Sequence, residues 1–74
     1  MSELRRTLSV YVNDRPRALG APATLLGLMS EMGLAASKGV AAAVNGEVVP
    51  RDAWDARGLS ERDRVLVIRA TQGG

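Results

Sequence analysis

The chain contains neither cysteine nor histidine. Together these absences exclude disulfides, thiolate nucleophiles, structural zinc centres and Ser-His-Asp catalysis. A carboxylate metal site is formally open, but Asp52 and Asp55, three apart in a short turn, are its nearest approach. With no thiol available, a covalently held sulfur would have to sit on a terminal carboxylate. Phenylalanine is also missing, and Trp54 and Tyr11 are the only aromatics. Aliphatic side chains must therefore build the core, and little is left to stack on nucleic-acid bases. Lysine is nearly absent: nine of the ten basic residues are arginine, with Lys38 alone. The net charge is only +2, and acidic residues interrupt the small basic groups Arg5-Arg6 and Arg15/Arg17. No apolar run reaches the length of a membrane-spanning helix. The opening Met1–Arg6 segment lacks the apolar stretch of a signal peptide, so a cytoplasmic location is expected.

What remains is a chain of 74 residues, one domain at most. A domain of this size buries only ~60% of the surface exposed by its unfolded chain, so its stability margin is narrow. Thr7–Val12 alternates with period two, placing Leu8, Val10 and Val12 on one face and Thr7, Ser9 and Tyr11 on the other. Asn13-Asp14-Arg15-Pro16 reads as a turn and Arg17-Ala18-Leu19 as a short return strand. Thr24 then caps a helix of ~9–10 residues, with Leu25, Leu28, Met29 and Met32 on one face and Gly33 as its stop. Leu34 is placed to pack back on the last turn.

Val40–Val44 has an ambiguous period, which Asn45-Gly46 resolves. That pair suits the two positive-φ positions of a type I′ turn, so Val40–Val44 and Glu47–Val49 form a second hairpin. Pro50 ends it, and Pro50–Asp55 reads as a turn or 3₁₀ segment with Trp54 folded onto the edge of the core. Arg57–Asp63 is a polar loop anchored by Leu59, and Arg64–Ala70 is the final strand. The predicted class is α+β, in the order β-β-α-β-β-β. The first and last strands lie centrally and in parallel, with one helix on one face. In the last strand Val65 and Val67 are assigned inward. Leu66 and Ile68 then form an apolar outer surface suited to docking.

Beyond Ala70 the sequence Thr71-Gln72-Gly73-Gly74 asks for no burial. Two glycines without Cβ atoms can thread a narrow channel, and the reactive group is the Gly74 carboxylate. On its own this segment reads more readily as a frayed terminus, the usual fate of a chain's last few residues.

The string Ala43-Val44-Asn45-Gly46-Glu47-Val48-Val49-Pro50-Arg51 with Trp54, followed by Leu59, Asp63, Val65–Ile68 and Gly73-Gly74, resembles the ThiS-type ubiquitin-like sulfur carriers of the ThiS/MoaD family. The resemblance covers nearly the whole chain. It departs from the family pattern at Arg62-Asp63, where the family often has Gly-Asp, and at Gly27, where a Glu often follows the cap. It implies a β-grasp domain over residues 1–70 with a flexible tail over 71–74, and a carrier rather than an enzyme. The partners it implies are a ThiF-type adenylating enzyme, which uses ATP and magnesium, and a ThiG-type thiazole synthase. A cysteine desulfurase relay would supply the sulfur. The carrier itself would bind no cofactor. Gly74 would carry the adenylate and then the thiocarboxylate, with Gly73, Gln72 and Thr71 as its lead. Leu66 and Ile68 would dock the partner, with Arg51 and Arg69 as a polar rim. The same tail chemistry fits delivery of sulfur to molybdopterin, cysteine or tRNA. A lysine-directed protein modifier and a non-covalent or RNA-binding β-grasp module are the readings from other classes.

Overall fold

The computed structural model describes residues 6–70. Strands β1 (Thr7–Val12) and β2 (Arg15–Gly20) form a hairpin closed by Asn13 and Asp14, with φ of 51° and 69°. Two left-handed residues make a tight type I′ connection, whose twist matches that of the strands. The turn is thus two residues shorter than the sequence suggests, and β2 includes Pro16. Proline is tolerated because β2 lies at the sheet edge, opposite Tyr11. The Tyr11 N–H points the other way, to the Asp63 carbonyl at 2.9 Å, so no ladder bond is asked of Pro16.

A two-residue strand β3 (Ala23–Thr24) leads into helix α1 (Leu25–Glu31). Thr24 Oγ1 accepts from Gly27 N at 3.1 Å, while Leu25 N and Leu26 N donate to the Arg57 and Trp54 carbonyls at 2.9 and 3.0 Å. Three donors that a helix start leaves unpaired are thereby satisfied. At the other end Gly33 takes φ of 75°, Leu34 N donates to Met29 O and Gly33 N to Ser30 O. This Schellman arrangement ends the helix at seven residues, shorter than expected, and folds Leu34 into the core.

Strands β4 (Val40–Val44) and β5 (Glu47–Val49) pair through Asn45-Gly46 as predicted. A 3₁₀ turn (Arg51–Ala53), a two-residue strand β6 (Gly58–Leu59) and the last strand β7 (Arg64–Arg69) follow. The main sheet has the order β2-β1-β7-β4-β5, with β1 and β7 parallel and the other neighbours antiparallel. That is the mixed sheet of a β-grasp. The small strands β3 and β6 pair separately and were not foreseen; two residues carry no readable period. They turn the expected polar loop into a clasp on the helix start, with Leu59 buried beneath it.

The core lies between α1 and one face of the sheet. Leu25, Leu28 and Met29 pack with Val10, Val44, Val65, Val67 and Trp54. Trp54 is not at the core edge, as expected, but inside it at 1% exposure, its Nε1 donating to Val49 O at 2.9 Å. No helix among the described residues is long and apolar enough to cross a membrane.

Candidate docking face and exit of the C-terminal segment

Alternation along β7 sorts its side chains into two sets. Val65 and Val67 are buried toward the helix, whereas Leu66 and Ile68 are 51% and 47% exposed on the opposite face. The register extends that outer face. Ala43 pairs with both Leu66 and Val48, Ala41 pairs with Ile68, and Tyr11 pairs with Arg64. Val48 and Tyr11 therefore join the surface, at 68% and 39% exposure. Ala43, though on this outer side, is buried between Leu66 and Val48. The result is a contiguous apolar patch across four strands, β1, β7, β4 and β5, with Arg64 at one end. An exposed apolar patch on a small domain is an interaction signature. Val48 was not singled out from the sequence. The Asn-Gly turn contains the needed signal: it fixes Val48 opposite Ala43, on whichever face carries Leu66.

Arg69 does not share this surface. By the same alternation it falls with Val65 and Val67, opposite Val40, so it is not a rim residue for Leu66 and Ile68. Arg51 lies nearer. With Ile68, Ala41 and Ala70 it lines a shallow groove of about 660 Å³ beside the end of β7. Its guanidinium is engaged within the chain, donating to the Ala35 and Ser37 carbonyls and lying 4.6 Å from the Trp54 ring centroid.

The two turn asparagines hold β7 from both sides. Asn13, beyond the end of β1, continues the pairing with its side chain: Oδ1 accepts from Val67 N at 2.8 Å and Nδ2 donates to Val67 O at 3.3 Å. Asn45 accepts from Arg64 N at 2.9 Å and donates to Asp63 Oδ1 at 3.0 Å. Asp63 Oδ2 also accepts from Ser60 N at 2.8 Å. This is how the turn before β7 forms without glycine: Arg62 takes φ of 69°, and carboxylate and amide bonds hold the loop. The last strand, and hence the direction in which the chain leaves it, is fixed by side-chain bonds as well as the ladder.

Gly74, Gly73, Gln72 and Thr71, the residues expected to form the reacting tail, lie outside the described residues. The described chain ends at Ala70, whose N–H donates to Gly39 O at 2.6 Å. Among the described residues no group of three or more acidic, cysteine or histidine side chains could hold a metal ion.

The ThiS family model matches residues 3–74 of the chain. The crystal structure of the thiamine biosynthesis protein ThiS from Geobacter metallireducens is similar at a TM-score of 0.75 and 28% identity. It covers 90% of this chain and 100% of its own. The NMR structure of a thiamine biosynthesis protein from the same organism gives a TM-score of 0.74 and 28% identity, covering 90% of this chain and 88% of that one. No curated protein sequence matches. With a family match across almost its whole length and a body that superposes on these two structures, the chain belongs to the ThiS family.

Proposed function

We propose that this chain is a sulfur carrier of thiamine biosynthesis whose cargo is held as a thiocarboxylate on Gly74. The observation that carries the reading is the family match, which runs through the β7 strand to Gly73-Gly74. A carboxylate is a poor electrophile, and adenylation gives it a good leaving group. In this reading a ThiF-type enzyme uses ATP and magnesium to transfer AMP to the Gly74 carboxylate, releasing pyrophosphate. Sulfur from a cysteine desulfurase relay, brought to the sulfide level by a thiol reductant, displaces AMP and leaves the thiocarboxylate, and a ThiG-type thiazole synthase accepts the sulfur. The carrier binds no cofactor of its own. Its contribution is reach and presentation. Extended residues span ~3.3–3.6 Å each, so the four beyond Ala70 reach roughly 13–14 Å past the folded body. Glycine at the last two positions admits close backbone approach in the partner's channel.

The apolar outer face of β7, with Leu66 and Ile68 beside Val48 and Tyr11, is the docking surface in this proposal. Replacing Ile68 with Asp tests it. The side chain is about half exposed, so the strand loses on the order of 1 kcal/mol at most. Loss of a central apolar anchor, by contrast, costs ~2 kcal/mol or more of binding, about a thirtyfold rise in Kd for the adenylating enzyme. Calorimetry should show weakened binding by a protein that still melts cooperatively. Undiminished affinity would remove this face from the account.

A further inference from the structure

We propose that Arg51 is a positioning residue for the C-terminal segment, acting through the loop Ala35–Gly39 rather than by touching a partner. The inference rests on residues 71–74 being the reacting tail. Its basis is a connected set of contacts. Trp54 is fixed in the core, and the Arg51 guanidinium lies 4.6 Å from its ring centroid. From there the two terminal nitrogens of Arg51 reach separate carbonyls of one loop, Ala35 O and Ser37 O. A planar fork fixes two acceptors at once, which a lysine ammonium on its flexible stem does not. The loop needs such a fixture: Ala35, Ala36, Ser37 and Gly39 have little to bury. It ends at Gly39, whose φ is 70° and whose carbonyl accepts from Ala70 N at 2.6 Å.

That bond lies one residue beyond the last paired position, Val40 with Arg69. Among the described residues it is therefore the last backbone bond on the chain before residue 71. The junction is close: a Cβ built on Gly39 would stand 3.3 Å from the Ala70 Cβ, tighter than ordinary contact. Glycine at 39 thus serves both the backbone angle and the approach of β7. Arg51 sets where the loop lies, the loop sets where Gly39 O lies, and Gly39 O sets the heading of the chain at Ala70. A misdirected tail spoils alignment at a reacting centre even when the body docks normally.

The test uses the full-length protein with Arg51→Ala, Arg51→Lys and Gly39→Ala. Amide hydrogen exchange reads the grip without reference to sulfur chemistry. Arg51→Ala should speed exchange at Ala70 by about tenfold or more and leave the Val67 amide protected, since local opening is distinct from global unfolding. Steady-state adenylation by the activating enzyme should show kcat lowered about tenfold or more with KM within roughly twofold, because the docking face is intact. Arg51→Lys should fail to restore the parent values. Gly39→Ala should reproduce the exchange effect with the Arg51–Trp54 stack in place, so an unfolded Arg51→Ala variant would not shield the idea. Unchanged exchange at Ala70 in the Arg51 and Gly39 variants would overturn it. A raised KM with kcat preserved would also overturn it, making Arg51 a direct docking contact. If the parent itself is not adenylated, the carrier reading fails while the exchange result still decides the grip.

Discussion

Deleting Gly74 is expected to eliminate thiocarboxylate formation while leaving the melting temperature within about 3 °C of the parent. The two halves of this expectation have separate causes. The core of the described fold lies between α1 and β1, β4 and β7, and its residues run from Leu8 to Val67. In the proposed mechanism the chemistry, by contrast, depends on reach. A carboxylate moved back onto Gly73 stands roughly 3.5 Å short. Misplacement of about 1 Å already costs on the order of 100-fold in a well-aligned reaction. Mass spectrometry of the reconstituted reaction, paired with a thermal melt, reads both halves. A truncated chain that still accepts sulfur would remove Gly74 from the mechanism, and one that unfolds would show the segment to be part of the body.

Trp54→Ala is expected to have the opposite signature: unfolding near room temperature. Truncating a buried aromatic costs about 3–5 kcal/mol. Here the change also abolishes the Nε1 bond to Val49 O and the ring beneath Arg51. Leaving that carbonyl unpaired adds about 1–3 kcal/mol. The total rivals the entire stability of a 74-residue domain, about 4–11 kcal/mol at 0.05–0.15 kcal/mol per residue. Trp54→Phe keeps most of the packing and should fold with a lowered melting temperature. Chemical denaturation of both variants checks this. An Ala variant within a few degrees of the parent would show that the 3₁₀ turn, and not the indole, closes the core.

The parts of this fold that were readable in the sequence are those with local causes. Period two in Thr7–Val12 and Arg64–Ile68, the Asn45-Gly46 turn, the Thr24 cap and the Gly33 stop each follow from the geometry of a few neighbouring residues. The assignment of Leu66 and Ile68 to the outer face also matches their exposure. What escaped depends on distant partners. The strands β3 and β6 are two residues each and exist because they meet each other. Pro16 fits in a strand because of where that strand sits in the sheet. The depth of Trp54 comes from its bond to Val49 and its place under the helix, which composition cannot convey. Arg51 reads from the sequence as part of the family string and as a polar rim of the docking face; its fork onto a loop some 14 and 16 residues away is a tertiary fact. Arg69 is different. Its face follows from the same alternation that placed Leu66 and Ile68, and nearness to the tail obscured it.

The central claim is that the folded body presents a carboxylate for another enzyme to activate and load with sulfur. Intact-protein mass spectrometry tests it most directly, on this chain co-expressed with a ThiF-type adenylating enzyme and a cysteine desulfurase. The account predicts an oxygen-to-sulfur mass increase, mapped by fragmentation to Gly74 and absent when the adenylating enzyme is omitted. A terminus that stays a plain carboxylate under these conditions, or the added sulfur mapped to any other position, would contradict it.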